Sequence, residues 1–279
     1  MSYGFTVLNS NNYITISDAQ LNPQYVGQAV YQNSGWWIWT TGGSQYVQMS
    51  GGLGTGVYGE TYLRIAVAVY TITYPTSQGK PFPFIVQDST INYGAAINAI
   101  KATGTSGNNT TWTIYVNICN GYAMTAASQP KILVFASIPE ATAPTGYGLV
   151  VKTGSGSIAF NSNLKHLVAS AGISYPTSTL INAKFGGSAT NYYPMISYNS
   201  SVTILNLPTT PAFFYQTGFT DFPYNGSGNG YYYASAVGRI NGSNFESSCG
   251  FGGGGITNVG ASIPRTPNPV IFIDSSKYI

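Results

Sequence analysis

The acid and base groups of this 279-residue chain are seven carboxylates (Asp18, Glu60, Asp88, Glu140, Asp221, Glu246 and Asp274) and one imidazole, His166. General acid–base or metal chemistry requires such groups to converge, and none of these forms an Asp-X-Asp or Glu-X-X-His spacing. A glycosidase can draw its two carboxylates from distant parts of a chain, so a glycan-cleaving enzyme stays as a minor alternative. A single His excludes an intrachain His cluster, although a trimer would place three copies around its axis. Beside Lys165, its ordinary role is that of a surface or half-buried side chain. The run Gly250 to Gly255 lacks the Lys that a phosphate loop requires. The expectation is a non-enzymatic protein with no cofactor and no metal.

Recognition chemistry is better supplied. Trp36-Trp37-Ile38-Trp39 holds three of the four tryptophans. As a strand it sends Trp37 and Trp39 to one face and Trp36 to the other. Either both faces are buried, or Trp36 is an exposed platform for a sugar ring or a partner subunit. Tyr192, Tyr193, Tyr231, Tyr232 and Tyr233 form a second candidate surface, with Phe251 in the glycine-rich run. Tyrosine combines contact area with one hydrogen-bonding tip at small entropic cost. Packing is the competing role for these residues.

Charged residues make up 6% of the chain, against about 25% in ordinary domains. Solubility must therefore rest on Asn, Ser, Thr, Gly and Tyr. The net charge of +3 comes from scattered Lys and Arg with no basic run, so nucleic acid is not an expected partner. With 43% hydrophobic and 14% aromatic residues, the chain has the apolar groups that disordered chains lack. Leu63 to Ile72 is too short to span a bilayer and carries Arg64, so membrane insertion is not expected. The first thirty residues show no basic start, apolar stretch or cleavage site, and no secretory leader is read there. Cys119 and Cys249 permit one disulfide or two free thiols at loosely similar places, the latter fitting a reducing cytoplasm.

The elements that must position these residues are strands. Tyr62 to Ile72 and Thr111 to Ile118 mix β-branched and aromatic residues in near alternation, and Ser201 to Leu205, Pro211 to Tyr215 and Gly230 to Val237 repeat the signal. Thr73 to Pro83, Tyr224 to Gly230 and Gly250 to Gly255 read as loops. Ala95 to Ala102 and Asn163 to Ser170 offer a helical turn or two at most.

An opening Tyr3-Gly4-Phe5-Thr6-Val7, a polar turn and Ile14-Thr15-Ile16-Ser17-Asp18 return 144 positions later as Tyr147-Gly148-Leu149-Val150-Val151 and Ile158-Ala159-Phe160-Asn161-Ser162. Closing runs Lys131 to Ser137 and Pro269 to Ser275 also match. These matches predict an all-β fold of two tandem antiparallel β-sandwich-like domains related by internal duplication: 1–139, a linker 140–146, and 147–279.

The Tyr-Gly-apolar-X-Val opening, the run Phe160-Asn161-Ser162-Asn163-Leu164-Lys165-His166-Leu167 and the closing Val134-Phe135-Ala136-Ser137 resemble small tail-associated proteins of tailed bacteriophages. The first half departs from that pattern, with Ile16 where an aromatic is usual and Asn12 where a turn Gly is usual. The resemblance implies a virion structural protein of the tail tip or tail fibre, assembled in the host cytoplasm and contributing to host attachment. It implies other tail proteins as partners and a homo-oligomer with a trimer favoured. On this reading one half, or the Trp-bearing face, docks on the tail while Gly- and Tyr-rich loops of the other half touch a host surface glycan or pilus. A purely architectural tail-tip or collar subunit and a secreted cell-surface protein are the alternatives. No catalytic residue transfers from the resemblance.

Overall fold

In a computed structural model the described residues are 6–8, 14–17, 23–40, 43–48, 64–87, 94–119, 129–137, 148–152, 156, 158–174, 200–216, 219–223, 231–252 and 269–279. They form an all-β, mostly antiparallel structure. The strands are β1 (Thr6–Leu8), β2 (Ile14–Ser17), β3 (Gln24–Thr40), β4 (Gly43–Gln48), β5 (Arg64–Pro75), β6 (Phe82–Val86), β7 (Gly94–Ser106), β8 (Asn109–Cys119) and β9 (Lys131–Ala136). They continue as β10 (Val150–Lys152), β11 (Ile158–Asn161), β12 (Ala169–Ser174), β13 (Ser200–Thr203), β14 (Pro211–Phe214), β15 (Phe219–Pro223), β16 (Tyr231–Asn241), β17 (Asn244–Gly252) and β18 (Pro269–Asp274).

The segment Ala95 to Ala102, expected as a helical turn, is part of β7. It pairs with β8 along its length and buries Ala95, Ala96 and Ile97 completely, so long-range pairing overrides the helix propensity of alanine. Gly250, Phe251 and Gly252, expected in a loop, continue β17 against β16. Pro83, expected in a connection, sits within β6. It pairs with Val134 on one side, and pairing with β14 on the other side begins only at Ile85, so no ladder bond is lost.

One path of hydrogen-bonded strands runs β12-β18-β14-β6-β9-β3-β5-β8-β7-β16-β17-β13. Its first six strands form one layer. There β9 and β18 are buried on both faces, which explains their continuous apolar runs. Ile132, Val134, Val270 and Phe272 face the main core, while Leu133, Phe135 and Ile273 face a second cluster with Phe84, Ala212 and Tyr278. The layer returns on itself. Tyr25 N–H donates to the Lys165 carbonyl (2.7 Å) and Leu167 N–H to that of Pro23 (2.8 Å), so the residues just before β12 bridge the far edge at β3.

Strand β3 passes from this layer, where Gln24 to Ala29 pair with β9, to the other, where Val30 to Ile38 pair with β5. Between the layers, Phe245 on β17 packs edge-on against Phe213, Tyr215 and Phe272, at ring separations of 5.3, 5.5 and 5.6 Å. Its ring occupies the place where a Cβ on Gly238 would stand, 2.1 Å from the nearest ring atom. A glycine is required there by close approach.

The expected boundary at 140–146 lies outside the described residues, and strands from either side of it bond directly. Strand β14 pairs with β6 through Ala212–Val86 and Phe213–Ile85, and β16 pairs with β7 through Gly238–Ala95. Gln87 acts as a further link, since its amide accepts from Ile240 N–H (2.8 Å) and donates to the Ile240 carbonyl (3.3 Å). Both halves also contribute to the main core.

Phe245→Ala is expected to cost about 3–5 kcal/mol, as for other large buried aromatics. Gly238→Ala is expected to destabilise by about 1–3 kcal/mol through overpacking. Urea denaturation of both variants checks these values, and a neutral Gly238→Ala would show that the Phe245 ring can move aside.

Candidate functional site

The candidate residues fall into separate places. Trp36 on β3 pairs with Val47 and Ala66. The neighbouring row links Val67, Asn117 and Ala96, and Ala95 pairs with Gly238, so Trp36 lies level with Gly238. Tyr231, Tyr232 and Tyr233 open β16 opposite Pro223, Phe222 and Asp221. Tyr233 also pairs with Gly252, and Phe251 pairs with Ala234. The backbone therefore gathers Tyr231, Tyr232, Tyr233 and Phe251 at one end of the second layer. Along the strand direction Trp36 is removed from them by five to seven positions, roughly 16–23 Å at about 3.3 Å each, and three strands lie between β3 and β16. Tyr192 and Tyr193 lie outside the described residues.

A hydroxyl-rich face lies elsewhere, on β5, β8 and β7. Thr73 opposes Thr111, Thr71 opposes Thr113, and Thr113 opposes Lys101. Strand alternation sets Thr111, Thr113 and Tyr115 on the face opposite Trp112, Ile114 and Val116; on that face Thr111 and Tyr115 are half-buried and Thr113 is buried. The Thr73 and Thr111 hydroxyls bond at 2.8 Å, as do those of Thr103 and Thr113. The Lys101 ammonium lies 5.7 Å over the Tyr115 ring. Residues 101–109 are all exposed. This field was missed in the sequence, although Thr71-Ile72-Thr73 and Thr111-Trp112-Thr113 carry its period-two signal.

The motif behind the resemblance is scaffold. Ser162 Oγ accepts from Leu149 N–H (2.8 Å), and Ser162 N–H donates to the Leu149 carbonyl (2.9 Å). A Cβ on Gly148 would stand 2.8 Å from Ser162 Oγ, so the Ser162 and Asn163 side chains close over this glycine. Asn161 Oδ1 accepts from Asn163 N–H, closing a local turn. His166 stacks on Phe160 (4.4 Å), and its Nε2 lies 2.6 Å from the Asn161 carbonyl. The Tyr278 hydroxyl donates to the His166 carbonyl (2.8 Å) and accepts from Val168 N–H (3.1 Å); burial pushes its pKa up.

Two carboxylates have structural roles. Glu246 accepts from Arg239 Nε (2.7 Å) and Asn241 Nδ2 (2.9 Å). Asp274 accepts from Ser276 Oγ (2.7 Å), Thr210 Oγ1 (2.8 Å) and Ser276 N–H (3.2 Å). Among the described residues, no three of His, Cys, Asp and Glu gather as a metal site. Counted from the turns of the β7/β8 and β16/β17 hairpins, Cys119 and Cys249 occupy different positions, opposite Gly94 and Ala236. No family model, curated protein sequence or solved structure matches the chain.

The hydrogen bonds from Ser276 and Thr210, aided by nearby Lys277, hold the Asp274 carboxyl below its ordinary range. Its folded pKa is depressed, so its contribution is present above the ordinary Asp pKa of about 3.9 and is lost as pH falls through the folded value. Asp274→Asn is expected to flatten the acid side of a melting-temperature profile. An unchanged acid limb would show that the cap contributes nothing to pH dependence.

Proposed function

We propose that this protein is a structural component of a bacteriophage tail, at the tip or in a fibre, that contributes to host attachment. The observation that carries the attachment reading is the hydroxyl face on β5, β8 and β7, where Thr73 and Thr103 are exposed and hydrogen-bonded to Thr111 and Thr113. It offers hydroxyls on a rigid sheet. A host surface glycan is a chemically matched receptor for such a face, and a pilus remains the protein alternative. The resemblance of the Tyr-Gly-apolar-X-Val opening and the Val134-Phe135-Ala136-Ser137 closing supports placement in the virion, with other tail proteins as partners and a trimer favoured.

We further propose that the two halves arose by internal duplication. Hairpins β1/β2 and β10/β11 pair in corresponding register: Thr6–Ser17, Val7–Ile16 and Leu8–Ile14 match Val150–Asn161, Val151–Phe160 and Lys152–Ile158, irregularity included. The β3/β9 pair shifts register between Tyr25 and Gly27, and β12/β18 does so between Ala169 and Ala171, at corresponding positions. Strand order reads β3-β9-β6 and then β14-β18-β12, a palindrome about the β6/β14 pair.

A purely architectural role is the alternative, in which a subunit contact would cover apolar side chains such as Val30 and Leu205, 62% and 79% exposed.

Particles lacking the protein should assemble but adsorb poorly to the host. Failure to form tails would support the architectural reading, and unimpaired adsorption would sink the attachment reading. The duplication predicts that residues 1–139 expressed alone dimerise, β6 pairing with a second β6. A soluble monomer by light scattering would count against that symmetry.

A further inference from the structure

Hairpins β7/β8 and β16/β17 share a framework and differ on one face. Their turns, Ser106-Gly107-Asn108-Asn109 and Asn241-Gly242-Ser243-Asn244, close through corresponding pairs, with glycine φ values of 57° and 59°. Thr76 N–H donates to the Asn108 carbonyl in one, and Ile204 N–H to that of Ser243 in the other, both at 2.8 Å. Two positions inward from each turn, the β16/β17 hairpin has Arg239 opposite Glu246, bonded at 2.7 Å and only 15% exposed. The same place in β7/β8 has Gly104 opposite Thr111. Nothing lies within 4 Å of where a Cβ on Gly104 would stand. Where one hairpin is closed by an ion pair, the other is open.

We propose that the slot over Gly104, in one row with Thr111 and then Thr73 and next to Thr103, binds a neutral sugar unit of a glycan. Each bonded threonine pair directs one hydroxyl hydrogen inward, and Thr103 Oγ1 also lies within donating distance of the Thr111 carbonyl (3.4 Å). Lone pairs therefore outnumber available hydrogens, and the complementary ligand brings O–H donors without negative charge. Lys101 sits to one side over Tyr115, away from the Gly104 row. A saccharide hydroxyl face meets these requirements, whereas a phosphate or carboxylate would face an excess of acceptors.

The proposal deepens the attachment reading and rests on it, and the two fail separately. Purified full-length protein is applied to an array of neutral hexose and deoxyhexose oligosaccharides beside uronate- and sialate-bearing ones. Binding to neutral members is expected. Gly104→Arg with Thr111→Glu transplants the ion pair that the other hairpin accommodates, and should abolish binding with an unchanged melting temperature. Thr73→Val, on an exposed rim position, provides a second variant should the double variant not fold. Its affinity should fall by about tenfold, the loss of one good hydrogen bond. No binding to neutral glycans, binding only to acidic glycans, or undiminished binding by folded variants overturns the slot. Array binding alongside normal adsorption of particles lacking the protein would overturn only the attachment reading.

Discussion

The antiparallel pairing of β6 with β14 is the constraint on which the rest of the structure depends. Ile85 and Phe213 oppose each other there, both fully buried in the main core. Phe84 and Ala212, one position away, are equally buried in the second cluster. Neither strand has a solvent face, so unpaired backbone groups on either would be left without water or a partner. Each half thus depends on the other at the centre of the first layer. The second layer repeats the dependence, because Ile97 N–H donates to the Tyr215 carbonyl across the halves.

Around that pair, hairpins of similar register are used in two ways. The opening motif and its polar partner make a hairpin clasp, in which Gly148 leaves room and Ser162 holds the Leu149 peptide. Its continuation through His166 and Leu167 joins the far edge of the same layer. These features are structural, and they leave variation to the hairpin faces of the second layer. There one hairpin carries the Arg239–Glu246 pair and the other a threonine field.

Scarcity of charge gives the few ionised groups visible structural work. Glu246 ties Arg239 and Asn241 across a hairpin, and Asp274 caps the terminal turn. Hydroxyls then carry much of the polar surface. Thr73, Thr103 and Thr111 satisfy one another along the sheet while remaining accessible, consistent with the preference of β-branched side chains for a pleated surface.

The sequence by itself determined strand character, because alternation and β-branched runs act locally, as at Thr111 to Ile118. It also exposed two similar openings and closings, which form the hairpins β1/β2 and β10/β11 in matching register and the strands β9 and β18. Only the tertiary structure decided that Ala95 to Ala102 is a strand, since its partner β8 supplies the hydrogen bonds that a helix would have made internally. It likewise decided that β6 meets β14 and that Gly104 shares a row with Thr111 and Thr73 from two other strands. Those neighbours are set by long-range pairing, whose energy comes from burial of both partners and leaves no local spacing to read.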